Sequence, residues 1–312
     1  MLSRIAESLY WIGRYTERAE DTARLLDIAQ RAALEGSDLG TSAQLAAVLG
    51  GVEIPHARDS VLSSYCLDRY VPESISSSVR AARENARTIR EALPNEMFEA
   101  LNGWHLQLAA SGPEDLVGSG AHALLTTMKM RSYQLTGVAD GSMQRSESWD
   151  WFQLGRHLER LVFGLRVLAV RAPLLSGTTG FAEAYGWTVL LRCFGAVEAF
   201  RATHRAGVDA LRVVDFLLLD PMFPRSALYA VRHLDGAAAR VTDELYGDDA
   251  RRTVGRLRAQ LEFREAEEIL DEGIAAFADR LSQRCLDVHV ALGEQPFARG
   301  ASLVTQPEQV PA

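Results

Sequence analysis

The sequence predicts an all-α protein, a helical bundle made by tandem duplication of one helical unit. Three observations lead there. Apolar residues recur at steps of three and four over long stretches, no alternating run is long enough to build a sheet, and two blocks of sequence return later in the same order.

The first element is the clearest. Between Ser3 and Gln30, Ile5, Leu9, Ile12, Ala19, Ala23 and Leu26 fall on one stripe of a helix. The same periodicity predicts helices over 73–93, 96–110, 120–138, 149–172, 181–205, 225–245 and 248–292. Their ends are marked by residues that stop a helix: Gly50, Gly51 and Pro55, then Pro94 and Asn95, Gly112 and Pro113, Pro173 to Gly180, and Pro221 to Pro224. The stretch DGSMQRSES, 140–148, is the most polar internal segment and is read as the joint between halves. This divides the chain into a first helical repeat over 1–140, a second over 145–292, the two packed as one compact domain, and a flexible tail over 293–312.

The duplication rests on two matches. Ile12 to Leu26 (IGRYTERAEDTARLL) aligns with Leu154 to Leu168 (LGRHLERLVFGLRVL), pairing Gly13 with Gly155, Arg14 with Arg156, Glu17 with Glu159, Arg18 with Arg160 and Arg24 with Arg166. Leu67 to Arg80 (LDRYVPESISSSVR) aligns with Leu219 to Arg232 (LDPMFPRSALYAVR). The separations are 142 and 152 residues, so the halves differ by a short insertion.

Composition narrows the function. The 312 residues include 33 basic and 41 acidic ones, a net charge of −8, which argues against a nucleic-acid or anionic-membrane partner. Only Lys129 among the basic residues is lysine. Cys66, Cys193 and Cys285 are dispersed in apolar surroundings and are expected to be reduced core residues. With no signal-peptide pattern near the first residues and no long apolar run, a soluble cytoplasmic protein is expected. No metal is expected, because the seven histidines make no ligand pattern. No cofactor is expected either, because the glycine-rich nucleotide motifs and the serine-hydrolase motif do not occur.

The chemistry therefore falls on the repeated polar residues. Arg14, Glu17, Arg18 and Asp21 occupy one helix face, while Tyr10, Trp11, Leu25 and Ile28 on or beside that face indicate that protein covers it. Enclosed charges must be paired, since an uncompensated buried ion costs several kcal/mol. Two readings stay open. The network knits helices together, or an arginine fork holds a substrate carboxylate or phosphate while a glutamate receives an amine. In the second half Val162 and Phe163 stand where Glu20 and Asp21 stand in the first, which favours the N-terminal half for chemistry. The candidate substrate- or anion-binding set is Arg14, Glu17, Arg18, Asp21, Arg87, Arg156, Glu159, Arg160 and Arg225, with Glu17 and Glu159 the candidate catalytic bases. In the second block, Ser74 and Ser226 are expected to cap helices that Pro72 and Pro224 introduce.

Four stretches together resemble the Alpha-E family, an α-helical domain with a Glu-Arg motif, usually in tandem duplication. They are SRIAESLYWIGRYTERAEDTARLLDI (Ser3 to Ile28), ARENARTIRE (Ala82 to Glu91), FQLGRHLER (Phe152 to Arg160) and FLLLDPMFPRS (Phe216 to Ser226). They span the chain to about residue 290, and the departure lies at Leu161 to Gly164. The resemblance implies a setting in peptide synthesis or modification, with circularly permuted ATP-grasp carboxylate-amine ligases, transglutaminase-like proteins and an NTN-type peptidase. The expected function is a helical partner of such a ligase, binding a peptide, an amino-acid-like ligand or the ligase itself. The alternatives are an enzyme acting on a peptide or acyl intermediate through a Glu-Arg pocket, and a purely structural subunit.

Overall fold

The computed structural model describes residues 3–34, 41–51, 58–175, 177–241 and 249–294. Helices α1 (Ser3–Leu34), α2 (Ser42–Leu49), α3 (Arg58–Leu67), α4 (Ile75–Thr88), α5 (Asn95–Ala109) and α6 (Ser119–Ser142) form the first half. They are followed by α7 (Glu147–Arg171), α8 (Gly180–Cys193), α9 (Val197–Thr203), α10 (Ala210–Val214), α11 (Ala227–Val241), α12 (Asp249–Glu262), α13 (Ala266–Glu272) and α14 (Ile274–Glu294). The described residues contain no strand, so the predicted fold class holds. The part of the tail beyond residue 294 lies outside them.

Two helices are central. On α1, Leu9, Ile12, Ala19, Ala23 and Leu26 are buried as the apolar stripe requires, and so are Tyr10, Leu25 and Ile28 on the other side. Between residues 8 and 30 α1 has no exposed position, so its middle has no solvent face, and α7 is the same along its length, with Trp151, Phe152, Leu154, Leu158, Leu165 and Leu168 buried. The two pack against each other; α4 and α6 flank α1, while α11 and α14 flank α7.

Glycine sets how closely α1 and α7 approach. A Cβ at Gly13 would stand 2.3 Å from the Phe152 carbonyl oxygen, and one at Gly155 would stand 2.0 Å from that of Tyr10. Each contact is the other moved by 142 residues along the chain. The second block behaves likewise. The Ser74 hydroxyl accepts from the Ser77 amide at 2.9 Å and donates to the Asp68 carbonyl at 2.5 Å. The Ser226 hydroxyl accepts from the Tyr229 amide at 3.1 Å and donates to the Asp220 carbonyl. Both serines are the expected N-caps, of α4 and α11.

Three departures from the periodicity have local causes. The expected helix over 181–205 is two, α8 and α9, because Gly195 takes a φ of 60° between them. The expected helix over 248–292 is three, with Gly273 at φ 95° separating α13 from α14. Helices α2, α3 and α10 are no longer than ten residues, too short to leave a period. Cys66, Cys193 and Cys285 are buried and unbridged, as expected.

Candidate functional site

The Glu-Arg units sit where α1 crosses α7, and their pairing is exchanged between the halves. Glu159 of α7 accepts from Arg14 Nε and, at 2.6 Å, from Arg18 Nε, both on α1. Glu17 of α1 accepts from Arg160 Nε at 2.6 Å and Nη2 at 3.0 Å, with Arg156 Nε 3.6 Å away, both on α7. Arg18 therefore pairs with Glu159 and not with Glu17 beside it in sequence. The carboxylate that Arg14 and Arg18 hold belongs to this chain.

The first half carries more. Arg225, just before Ser226, donates from Nη1 to Asp21 at 2.8 Å and from Nη2 to Glu20, and lies 3.5 Å from Glu17. Arg24 also donates to Glu20 and, at 2.5 Å, to the Tyr133 hydroxyl. The second half replaces this arrangement as a whole: Val162 and Phe163 stand for Glu20 and Asp21, and Glu73 stands for Arg225. Losing the acids while keeping the arginine would have left a buried charge unpaired.

The electrostatics follow from enclosure. Side-chain exposure is 2% for Glu17, 1% for Glu20 and Asp21, and 7% for Glu159. Burial acts to raise the Glu17 carboxyl, and Arg160, Arg225 and Arg156 override it, holding it well below its usual value. Burial opposes Arg14 and Arg18 in the same way at Glu159, which ends at about 2. Asp21 goes the opposite way: burial raises it well above its usual value, Arg225 opposes, and Glu17 and Glu20 add to the rise. Its Oδ2 is buried without a hydrogen-bond partner. Burial lowers Arg156 to about 10, only partly offset by Glu17.

A base for proton abstraction needs a pKa near working pH, so Glu17 and Glu159 as placed are poor bases. The carboxylates of Glu17, Glu20 and Asp21 lie within 4.8 Å of one another, near enough to share a metal ion, but a metal would have to displace Arg225 from all three. The void beside Arg160 and Arg225 measures about 10 Å³, room for about one water. Arg87 stands outside the network: it bonds Glu84 at 2.9 Å with its side chain 67% exposed.

Of the sequence-derived candidates, the structure brings Arg14, Glu17, Arg18, Asp21, Arg156, Glu159, Arg160 and Arg225 together at the crossing, a convergence of the two halves that the sequence reading did not foresee, and it adds Glu20 and Arg24 to them. The Arg24–Arg166 match carried the missing signal. Each of these arginines reaches the glycine after a helix of the opposite half: a Cβ at Gly50 or Gly195 would lie 2.6 Å from Arg166 Nη1 or Arg24 Nη1.

Fold and site together define a class, an all-α protein whose two central helices are joined by exchanged Glu-Arg pairs. The chain belongs to the Alpha-E family, described as a predicted alpha-helical domain with a conserved ER motif, which matches residues 1–297. It is also similar to uncharacterised proteins of Mycobacterium bovis and of two strains of Mycobacterium tuberculosis, each 24% identical over 321 residues. The match covers 93% of this chain and 35% of each relative, so the chain spans about a third of the length of these relatives. No solved structure matches it.

Proposed function

We propose that this chain is a non-catalytic, cytoplasmic helical partner in a peptide synthesis or modification system, working with a circularly permuted ATP-grasp carboxylate-amine ligase and transglutaminase-like proteins. The observation that carries the non-catalytic part is the closure of the Glu-Arg network on itself: Glu17 and Glu159 each neutralise arginines of the other half. The network braces the two halves into the shape a partner recognises. The partnership draws on the setting that the family resemblance implies. Three buried, unbridged cysteines and the lack, among the described residues, of a helix long and apolar enough to cross a membrane accord with the location.

Co-purification with the ligase, followed by mass spectrometry of peptides made with and without this chain, tests the reading. The expected result is a stable complex and a change in peptide product, with no turnover by the chain alone. Turnover of a peptide or acyl substrate by the purified chain, abolished in a folded Glu159→Gln variant, would install the enzyme reading instead.

A further inference from the structure

We infer that the cavity between the turn after α7, the first half of α8 and the junction of α13 with α14 binds a small aliphatic zwitterion, the chemistry of a free amino acid or a short peptide. The cavity measures about 520 Å³, within the range that holds a small ligand. Ala172, Leu175, Ala210 and Leu270 give it apolar walls. Among the described residues that line it no side chain is basic, and Glu183 alone is acidic. It shares no residue with the Glu-Arg crossing, so the inference does not rest on the proposed partnership.

Unpartnered groups of both kinds open on this space. Helix α14 begins at its wall, where Gly273, at φ 95°, offers no side chain as a cap. The first bond of the helix runs from the Phe277 amide to the Gly273 carbonyl at 3.0 Å. The amides of Ile274, Ala275 and Ala276, all on the cavity wall, therefore have no acceptor among the described residues. Trp187 of α8 supplies an independent donor: it lines the cavity, is 4% exposed, and its indole N–H has no hydrogen-bond partner among the described residues. A buried N–H without an acceptor is costly, and a carboxylate laid on these donors satisfies them. The negative charge comes from Glu183, half-buried in the first turn of α8, which has no hydrogen bond or ion pair with any described residue. Other acids near the start of α14 do not compete. Glu272 is held by Arg264 at 2.6 Å and Arg280 at 3.0 Å, while Asp271 and Asp279 are exposed and do not line the cavity. An anion alone would meet the charge of Glu183, and a cation alone would leave the donors empty. A ligand with both charges on an aliphatic body answers both, its carboxylate on the amides and indole, its ammonium on Glu183.

Titration calorimetry of the full chain with L-leucine and with dileucine tests this, beside isocaproate, which lacks the amine, and isoamylamine, which lacks the carboxylate. The expected result is saturable binding of at least one zwitterion, about tenfold or more tighter than either singly charged analogue. Glu183→Gln keeps the side chain's shape and is expected to erase the margin over isocaproate. Trp187→Phe keeps a ring, removes the N–H, and is expected to weaken the zwitterion and isocaproate alike. Should Trp187→Phe fold poorly, Glu183→Gln at its half-buried position decides alone. Binding of leucine assigns a free amino acid; binding of dileucine alone assigns a peptide with both ends free. The absence of saturable binding, equal binding of a singly charged analogue, or zwitterion binding unchanged in Glu183→Gln overturns the site.

Discussion

Glu159 accepts from two arginines while 7% exposed, so Glu159→Gln keeps its shape but leaves Arg14 and Arg18 without a counter-charge. Breaking one side of a buried pair costs about 3–5 kcal/mol, and a loss of that size is expected in urea unfolding. Asp21 predicts the opposite sign. Its carboxyl is raised in the folded protein, so the stability it contributes is complete below its ordinary value of 3.8 and is lost as pH rises through the folded value. Asp21→Asn keeps an oxygen for Arg225 and removes that loss. Its melting temperature is expected to match or exceed that of the unsubstituted protein, with the gap widening as pH rises.

At the scale of elements, the crossing of α1 and α7 depends on two missing side chains. Gly13→Ala or Gly155→Ala would push a methyl group into the backbone of the opposing helix, where neither backbone can yield without moving a central helix. Each is expected to cost about 3 kcal/mol or more, the upper end for overpacking, measured by chemical unfolding. Gly137→Ala on α6 is the control: nothing lies within 4 Å of its added Cβ, and a gain of about 0.4–1 kcal/mol is expected. Helix periodicity made α1, α4, α5, α6, α7 and α11 legible, because each is long enough to repeat its buried stripe. The breaks at Gly195 and Gly273 were not legible, since a glycine inside an apolar pattern reads equally as helix interior or helix end.

For the whole molecule, the exchanged pairs tie the two halves into one cooperative unit. Separately expressed 1–144 and 145–312 would each expose a central helix and unpaired arginines. The expected outcome is aggregation or unfolding of each alone and recovery of a helical complex on co-expression, read by circular dichroism and size exclusion. Acid acts on the same joint. Glu159 ionises near 2 in the folded chain against an ordinary 4.5, so its stabilisation is complete above about 4.5 and disappears as pH falls toward 2. A melting temperature that drops over this window, and drops less in Glu159→Gln, checks the assignment.

The sequence alone determined that the chain is helical and that Glu17 and Arg18 recur as Glu159 and Arg160, and it pointed to a partial enclosure of the first-half charges. Those properties reside in spacing along one helix and in which residue types flank a charge. Only the tertiary structure decided with whom each charge pairs. Arg18 and Glu17 are neighbours in sequence, but their side chains leave the helix about 100° apart, and the close crossing permitted by Gly13 and Gly155 brings Glu159 and Arg160 to them from the opposite half.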